Sequence, residues 1–182
     1  MFIAALHALG GNARCVADAR EAADVVESIV RSGAEVTDVI CEEGALLDSL
    51  GLRLALRARG VRLIPVADAG SGVGAVQVGL TCAELAIAQS GTLLVGGAPG
   101  GWGLAAALPR LHIALVRAGD IERDLAAAFP RFKEMFAAGS RDWVWVSGPS
   151  KTADIAMQLV TGVHGPNVLE VLIVPDGVGG LA

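Results

Sequence analysis

The chain has 182 residues, of which 53% are hydrophobic and 18% charged, and its formal net charge is −5. That length fits one globular domain, residues 1–182, and that apolar content excludes a disordered chain. The negative balance excludes broad nucleic-acid or anionic-membrane surfaces and leaves room only for a small local basic site.

In chain order, Phe2 to Leu9 is apolar but has no basic leader and contains His7, which argues against a signal peptide and makes the cytoplasm the expected compartment. Val16, Ala19, Ala23, Val26 and Val30 share one helical face, and Val36 to Cys41 reads as a buried strand. Leu46, Leu50, Leu54 and Arg57 predict another helix, followed by a strand at Val61 to Val66. A helix is expected near Thr81 to Gln89, a strand at Thr92 to Val95, a short helix near Leu104 to Leu108 and a strand at His112 to Val116. Ile121, Leu125, Ala128, Phe132 and Phe136 mark a further helix. The pattern ends with a strand through Val144 to Ser147, a helix opened by Ser150 and a strand at Leu169 to Val174. Such alternation predicts an α/β fold in three layers, a mostly parallel sheet covered by helices on both faces.

Leu85 to Pro109 is uncharged and long enough to span a bilayer, but its many glycines and Pro99 favour a buried strand followed by a loop. Cys15, Cys41 and Cys82 are isolated, so they are expected to be buried small apolar residues. An iron–sulfur cluster usually takes four thiolates, so no intrinsic cluster is expected. Metal binding by His112 and His164 is not expected either; capping and packing are commoner uses of a lone histidine. Trp143 and Trp145 alternate along their strand, which places both on one face and predicts a core or subunit interface.

The most informative stretch is Ser147-Gly148-Pro149-Ser150-Lys151-Thr152-Ala153-Asp154-Ile155, closed by His164-Gly165-Pro166. It follows the β-prone run Trp143 to Val146, and Ser150 stands where a helix takes its N-cap oxygen. Backbone N–H groups at such a turn, beside a hydroxyl and an ammonium, form a receptor for phosphate or carboxylate. The same residues also make an ordinary turn and cap with no ligand, and both readings stay open. Ser150-Lys151-Thr152 is not a P-loop, because Ser150 and Trp145 occupy the positions that need glycine. Gly70-Ser71-Gly72-Val73-Gly74-Ala75 can be written G-x-G-x-x-A, yet no convincing helix start follows, so a surface loop is expected there. Gly96 to Gly103 follows a predicted central strand, where open α/β sheets bind ligands, and reads equally as a loop without one.

The GPSKTADI run, the downstream VTGVHGP, Ala83 to Thr92 and Leu108-Pro109-Arg110-Leu111-His112-Ile113 together resemble the LUD-domain family. The matching region runs from about Val76 to Val174, with no matching motif in the first seventy residues or so. The resemblance implies a fold similar to ribose-5-phosphate isomerase, glucosamine-6-phosphate deaminase and CoA-transferases. It also implies a place in systems that oxidise lactate to pyruvate, with iron–sulfur clusters carried by partner proteins. The chain departs from the family at one point, having Gln89-Ser90-Gly91-Thr92 where Glu-Thr-Gly-Thr is usual. A carboxamide cannot act as a carboxylate nucleophile or general base, so no catalytic residue is assigned.

The candidate ligand site therefore comprises Gln89, Ser90, Gly91, Thr92, Ser147, Gly148, Ser150, Lys151, Thr152, Asp154 and His164, gathered at the carboxyl ends of neighbouring parallel strands around a small anion. Two functions are expected to compete. One is a lactate utilization component without a cluster of its own, acting beside iron–sulfur partners. The other is an independent enzyme or anion sensor for a sugar phosphate, an acyl-CoA or a related anion.

Overall fold

A computed structural model describes residues 1–32, 38–42, 44–68, 76–96, 103–139, 142–153, 159–161, 165–178 and 180. Of the expectations above, the Gly70 to Ala75 turn, residues 97–102, Asp154 and His164 lie outside these residues.

The spine is a parallel sheet. Its strands are β1 (Asn12–Cys15), β2 (Asp38–Cys41), β3 (Arg62–Pro65), β4 (Val78–Ile87), β6 (Leu111–Arg117) and β11 (Val168–Val174), in the order β1-β11-β6-β4-β2-β3. β4 and β6 pair in parallel from Val78↔Leu111 to Cys82↔Leu115, and β6 continues to β11. On one face lie α2 (Ala19–Ser32), α3 (Ala45–Ser49) and α4 (Leu52–Ala58), whose buried side chains meet Val39, Cys41, Leu80, Ile113 and Leu172. On the other lie α1 (Phe2–Ala8) and α5 (Leu104–Ala107), packing Phe2, Leu6 and Ala106 against Ala114, Val116 and Val171. The layers are thus helix, sheet, helix, as the alternation predicts.

β4 then changes partners. Its register shifts between Ala83 and Leu85, and beyond that bulge it pairs antiparallel with β5 (Thr92–Gly96), which pairs antiparallel with β8 (Trp143–Val146). The short β7 (Ile121–Glu122) pairs in parallel with the end of β4. α6 (Leu125–Ala137) covers this wing, its N-cap Asp124 accepting the Ala127 N–H at 2.9 Å.

Several expectations are corrected. Thr81 to Gln89 is not a helix, because Thr81 to Ile87 belongs to the central strand β4. All of that strand except Glu84 is buried, and a strand covered on both faces has the same near-continuous apolar run as a buried helix. Ser150 caps no helix. Lys151–Ala153 forms strand β9, antiparallel to β10 (Leu159–Thr161), and the Ser150 N–H donates to Pro166 O at 2.8 Å. Cross-strand pairing with the β-branched Val160 and Thr161 prevails over the cap signal. The helix predicted through Leu46 and Leu54 breaks at Gly51, whose φ of 64° is left-handed. The apolar phase slips there, burying Leu52 and Leu56 and leaving Leu54 exposed. Cys15 is exposed, whereas Cys41 and Cys82 are buried as expected.

Candidate functional site

The end of β4 turns through residues 88–91 into β5, and backbone bonds hold that turn: Ala88 N–H donates to Glu122 O, Gln89 N–H to Arg123 O and Gly91 N–H to Ile87 O. Register then does the positioning. Because Leu93 pairs with Val146, Thr92 at the start of β5 stands level with Ser147, just past the end of β8. Thr92 Oγ1 lies 2.7 Å from Ser90 Oγ and 2.8 Å from Ser147 Oγ, so three hydroxyls form one hydrogen-bonded row. Two segments far apart in the chain thereby meet beside the carboxyl end of β4.

Next to the row opens a cleft of about 550 Å³, lined by Ile87, Gln89, Ser90 and Thr92 on one side and by Leu125, Ala128, Phe129, Phe132 and Trp145 on the other. The Phe132 ring sits 6.4 Å from Phe129 and 6.0 Å from Trp145, tilted 43° and 36°. It also lies 5.0 Å from Trp143, so the two tryptophans do share a face, packed against α6. The lining side chains carry no ionisable group.

The two glycines of the motifs have a different duty from the one expected. A Cβ at Gly91 would stand 2.5 Å from Leu6 N, and one at Gly148 would stand 2.9 Å from Leu9 Cβ. Helix α1 and the residue after it therefore occupy the space these glycines leave, where a ligand was expected to approach. Lys151 is exposed, and its Nζ lies over Gly10, 3.7 Å from where a Cβ would be. It is not a lining residue of the cleft. Thr152 pairs with Val160 in the hairpin.

A second set of polar groups sits under α5, and only one of its members draws attention in the sequence. Glu42, just past β2, is 4% exposed; its carboxylate accepts the Ala105 N–H, while Oε1 has no partner among the described residues. Burial pushes its pKa up to about 7. A carboxylate directly after the Val-Ile-Cys run was the available signal, since parallel strands present such residues at their carboxyl ends. His112 is fully buried, its Nε2 2.8 Å from Thr81 Oγ1, and burial pulls its pKa down to about 4. On the opposite face Arg53 reaches Asp48 at 2.7 Å, Cys41 Sγ at 3.1 Å and Glu42 O at 3.0 Å. Burial raises the Cys41 pKa and pushes that of Cys82 up to about 12, so both stay thiols near neutral pH. Among the described residues, no group of three or more His, Cys, Asp or Glu is placed to hold a metal ion, and no helix is long and apolar enough to cross a membrane.

Comparison with known proteins extends the picture to the N-terminus. A family model described as LUD domain matches residues 1–174, well beyond the motif-bearing region. The chain is similar to "Lactate utilization protein C" of Shouchella clausii (32% identity over 101 residues; 54% of this chain, 44% of that one). It is likewise similar to "Lactate utilization protein C" of Bacillus licheniformis (34% over 104 residues; 54% and 42%). The chain thus spans less than half the length of these curated relatives. In structure it is similar to a DUF162 family protein from Deinococcus radiodurans, with a TM-score of 0.65 at 18% identity, covering 95% of this chain and 93% of that one.

Proposed function

The chain belongs to the LUD-domain family, and from that membership we propose that it serves lactate utilization as a component without its own iron–sulfur cluster, working beside cluster-bearing partners while lactate is oxidised to pyruvate. The observation that carries this reading is the family match over residues 1–174, joined to relatives named for lactate utilization. The thiols support it. An iron–sulfur cluster usually takes four thiolates, and this sequence has three cysteines, Cys41 and Cys82 buried and Cys15 exposed. Cluster chemistry therefore falls to a partner in this reading.

The part left to this chain is binding and orientation. The aromatic side of the cleft keeps water from one flank of a ligand, and the Ser90, Thr92 and Ser147 hydroxyls align a polar edge. With an amide at Gln89, the chain offers no carboxylate for acyl transfer at that position. The competing reading, an enzyme or sensor for a sugar phosphate or acyl-CoA, draws its positive charge from Lys151. That residue does not line the cleft, and the lactate reading leads on the family match and the relatives' names.

The test is deletion of the gene in its own host, followed by growth and lactate consumption on lactate as sole carbon source. Loss of both is expected, with recovery from the intact gene and weaker recovery from Ser147→Ala. Iron–sulfur proteins are expected to co-purify from lactate-grown cells. Normal growth and consumption, with no second copy of the gene present, would remove the proposal.

A further inference from the structure

We infer that the cleft between α6 and the 88–91 turn binds a neutral, flat ring system with a carbonyl oxygen on its edge, a ligand of the quinone class. This rests on the cleft being a ligand site and does not depend on the lactate role.

Charge supplies the first argument. The nine lining residues are Ile, Gln, Ser, Thr, Leu, Ala, two Phe and Trp, with no cation among them to meet an anion. An ion moved into such a wall loses hydration without a counter-charge, so the cleft selects against free carboxylates and phosphates. Shape supplies the second. Phe129 is 60% exposed and Trp145 43% exposed, although the sheet below them is closely packed. Large rings left in water on both sides of Phe132 form an apolar wall with aromatic faces, which a flat ring covers with offset or tilted contacts. The volume of about 550 Å³ accommodates more than one fused ring and is far larger than a three-carbon acid fills.

The hydroxyl row decides the polar end of the ligand. Ser90, Thr92 and Ser147 bring three O–H groups, and the two bonds within the row use two of the hydrogens. One hydrogen remains to donate outward, and the exposed Gln89 amide adds N–H donors at the rim. Neutral donors without formal charge suit a neutral acceptor, and a ring carbonyl is such an acceptor. A fused ring carrying carbonyls meets all three conditions together.

The intact chain should be titrated by calorimetry with a naphthoquinone methylated at both quinoid carbons, so that the exposed Cys15 cannot add to it, and in parallel with naphthoate, its anionic counterpart. The quinone is expected to bind at least about tenfold more tightly than naphthoate, the factor that corresponds to 1.4 kcal/mol. Phe129→Ala and Trp145→Ala should each weaken quinone binding about tenfold, and Ser147→Ala about fivefold. Thermal unfolding of each variant guards against misfolding; all three side chains are exposed, so little change is expected. Tighter binding of naphthoate, displaced by the same variants, would overturn the neutral class and leave the cleft a ligand site. Absence of binding by both probes, with self-association in sedimentation that Phe129→Ala abolishes, would overturn the ligand site as well and make this face a contact between copies. Quinone binding untouched by all three variants would also overturn the proposal.

Discussion

The two halves of β4 live in different surroundings. Val78 to Cys82 runs between β2 and β6 in the parallel sheet, while Ala83 to Ile87 runs beside β5 in an antiparallel wing, one face of which packs with Phe2 and Leu6 of α1 while the other lies under α6. In the first half the side chains of Leu80 and the neighbouring Ile113 and Leu115 are wholly buried. In the wing, α6 buries only Ala128 completely and leaves Leu125, Phe129 and Phe136 in contact with water. The difference teaches where stability and recognition reside. Close helix cover removes the apolar surface that a ligand would use, and α6, laid loosely over one face of the wing, keeps its own rings available.

The sharpest way to break this comparison is a pair of truncations. Leu115→Ala, in the parallel half, should lower the free energy of unfolding by about 3 kcal/mol, because a buried leucine loses both transfer energy and packing. Phe129→Ala, in the wing, should cost less than about 1 kcal/mol because its ring is already largely in water. Urea unfolding of both variants measures the contrast, and equal losses would refute it.

The next effect belongs to the polar pair under α5. Glu42 titrates at about 7 when folded against an ordinary 4.5, so the folded chain binds the extra proton and stability falls as pH rises across that interval. His112 titrates at about 4 against 6.5, so the unfolded chain binds the extra proton and stability rises with pH over its own interval. Between about pH 4.5 and 6.5 the two slopes oppose each other, and the wild-type profile should be nearly flat. Glu42→Gln should stabilise the protein by about 2 kcal/mol near pH 8, and it should expose a rise in stability with pH below 6.5. Thermal or urea unfolding across the pH range tests both signs.

The smallest expected effect is at the hydroxyl row. Ser147→Ala removes one exposed hydroxyl, so its stability change should stay within about 0.5 kcal/mol while binding in the cleft weakens. A larger loss in the unfolding curve would make the row part of the wing's framework.

Local patterns carried much of the fold. The helix face from Val16 to Val30, the strands at His112 to Val116 and Leu169 to Val174, and the family motifs could be read directly because amphipathic period and strand length are properties of neighbouring residues. Strand β4 could not. Its Leu-Thr-Cys-Ala-Glu-Leu-Ala-Ile run lacks a period that separates strand from buried helix, and only flanking by β2, β5 and β6 decides it. Ser150 failed as a cap for a related reason, since the residues after it pair with β10 in a hairpin and its own N–H bonds to Pro166 O. The cleft shows the same division. Gln89 to Thr92 and Ser147 stand out as motifs, but antiparallel register alone brings Thr92 to Ser147, and only the packing of α6 on β8 assembles Phe129, Phe132 and Trp145 into the aromatic wall. The position of Glu42 after the Val-Ile-Cys run is local, but its burial, like the exposure of Phe129, is not, because both are set by what the rest of the chain packs around them.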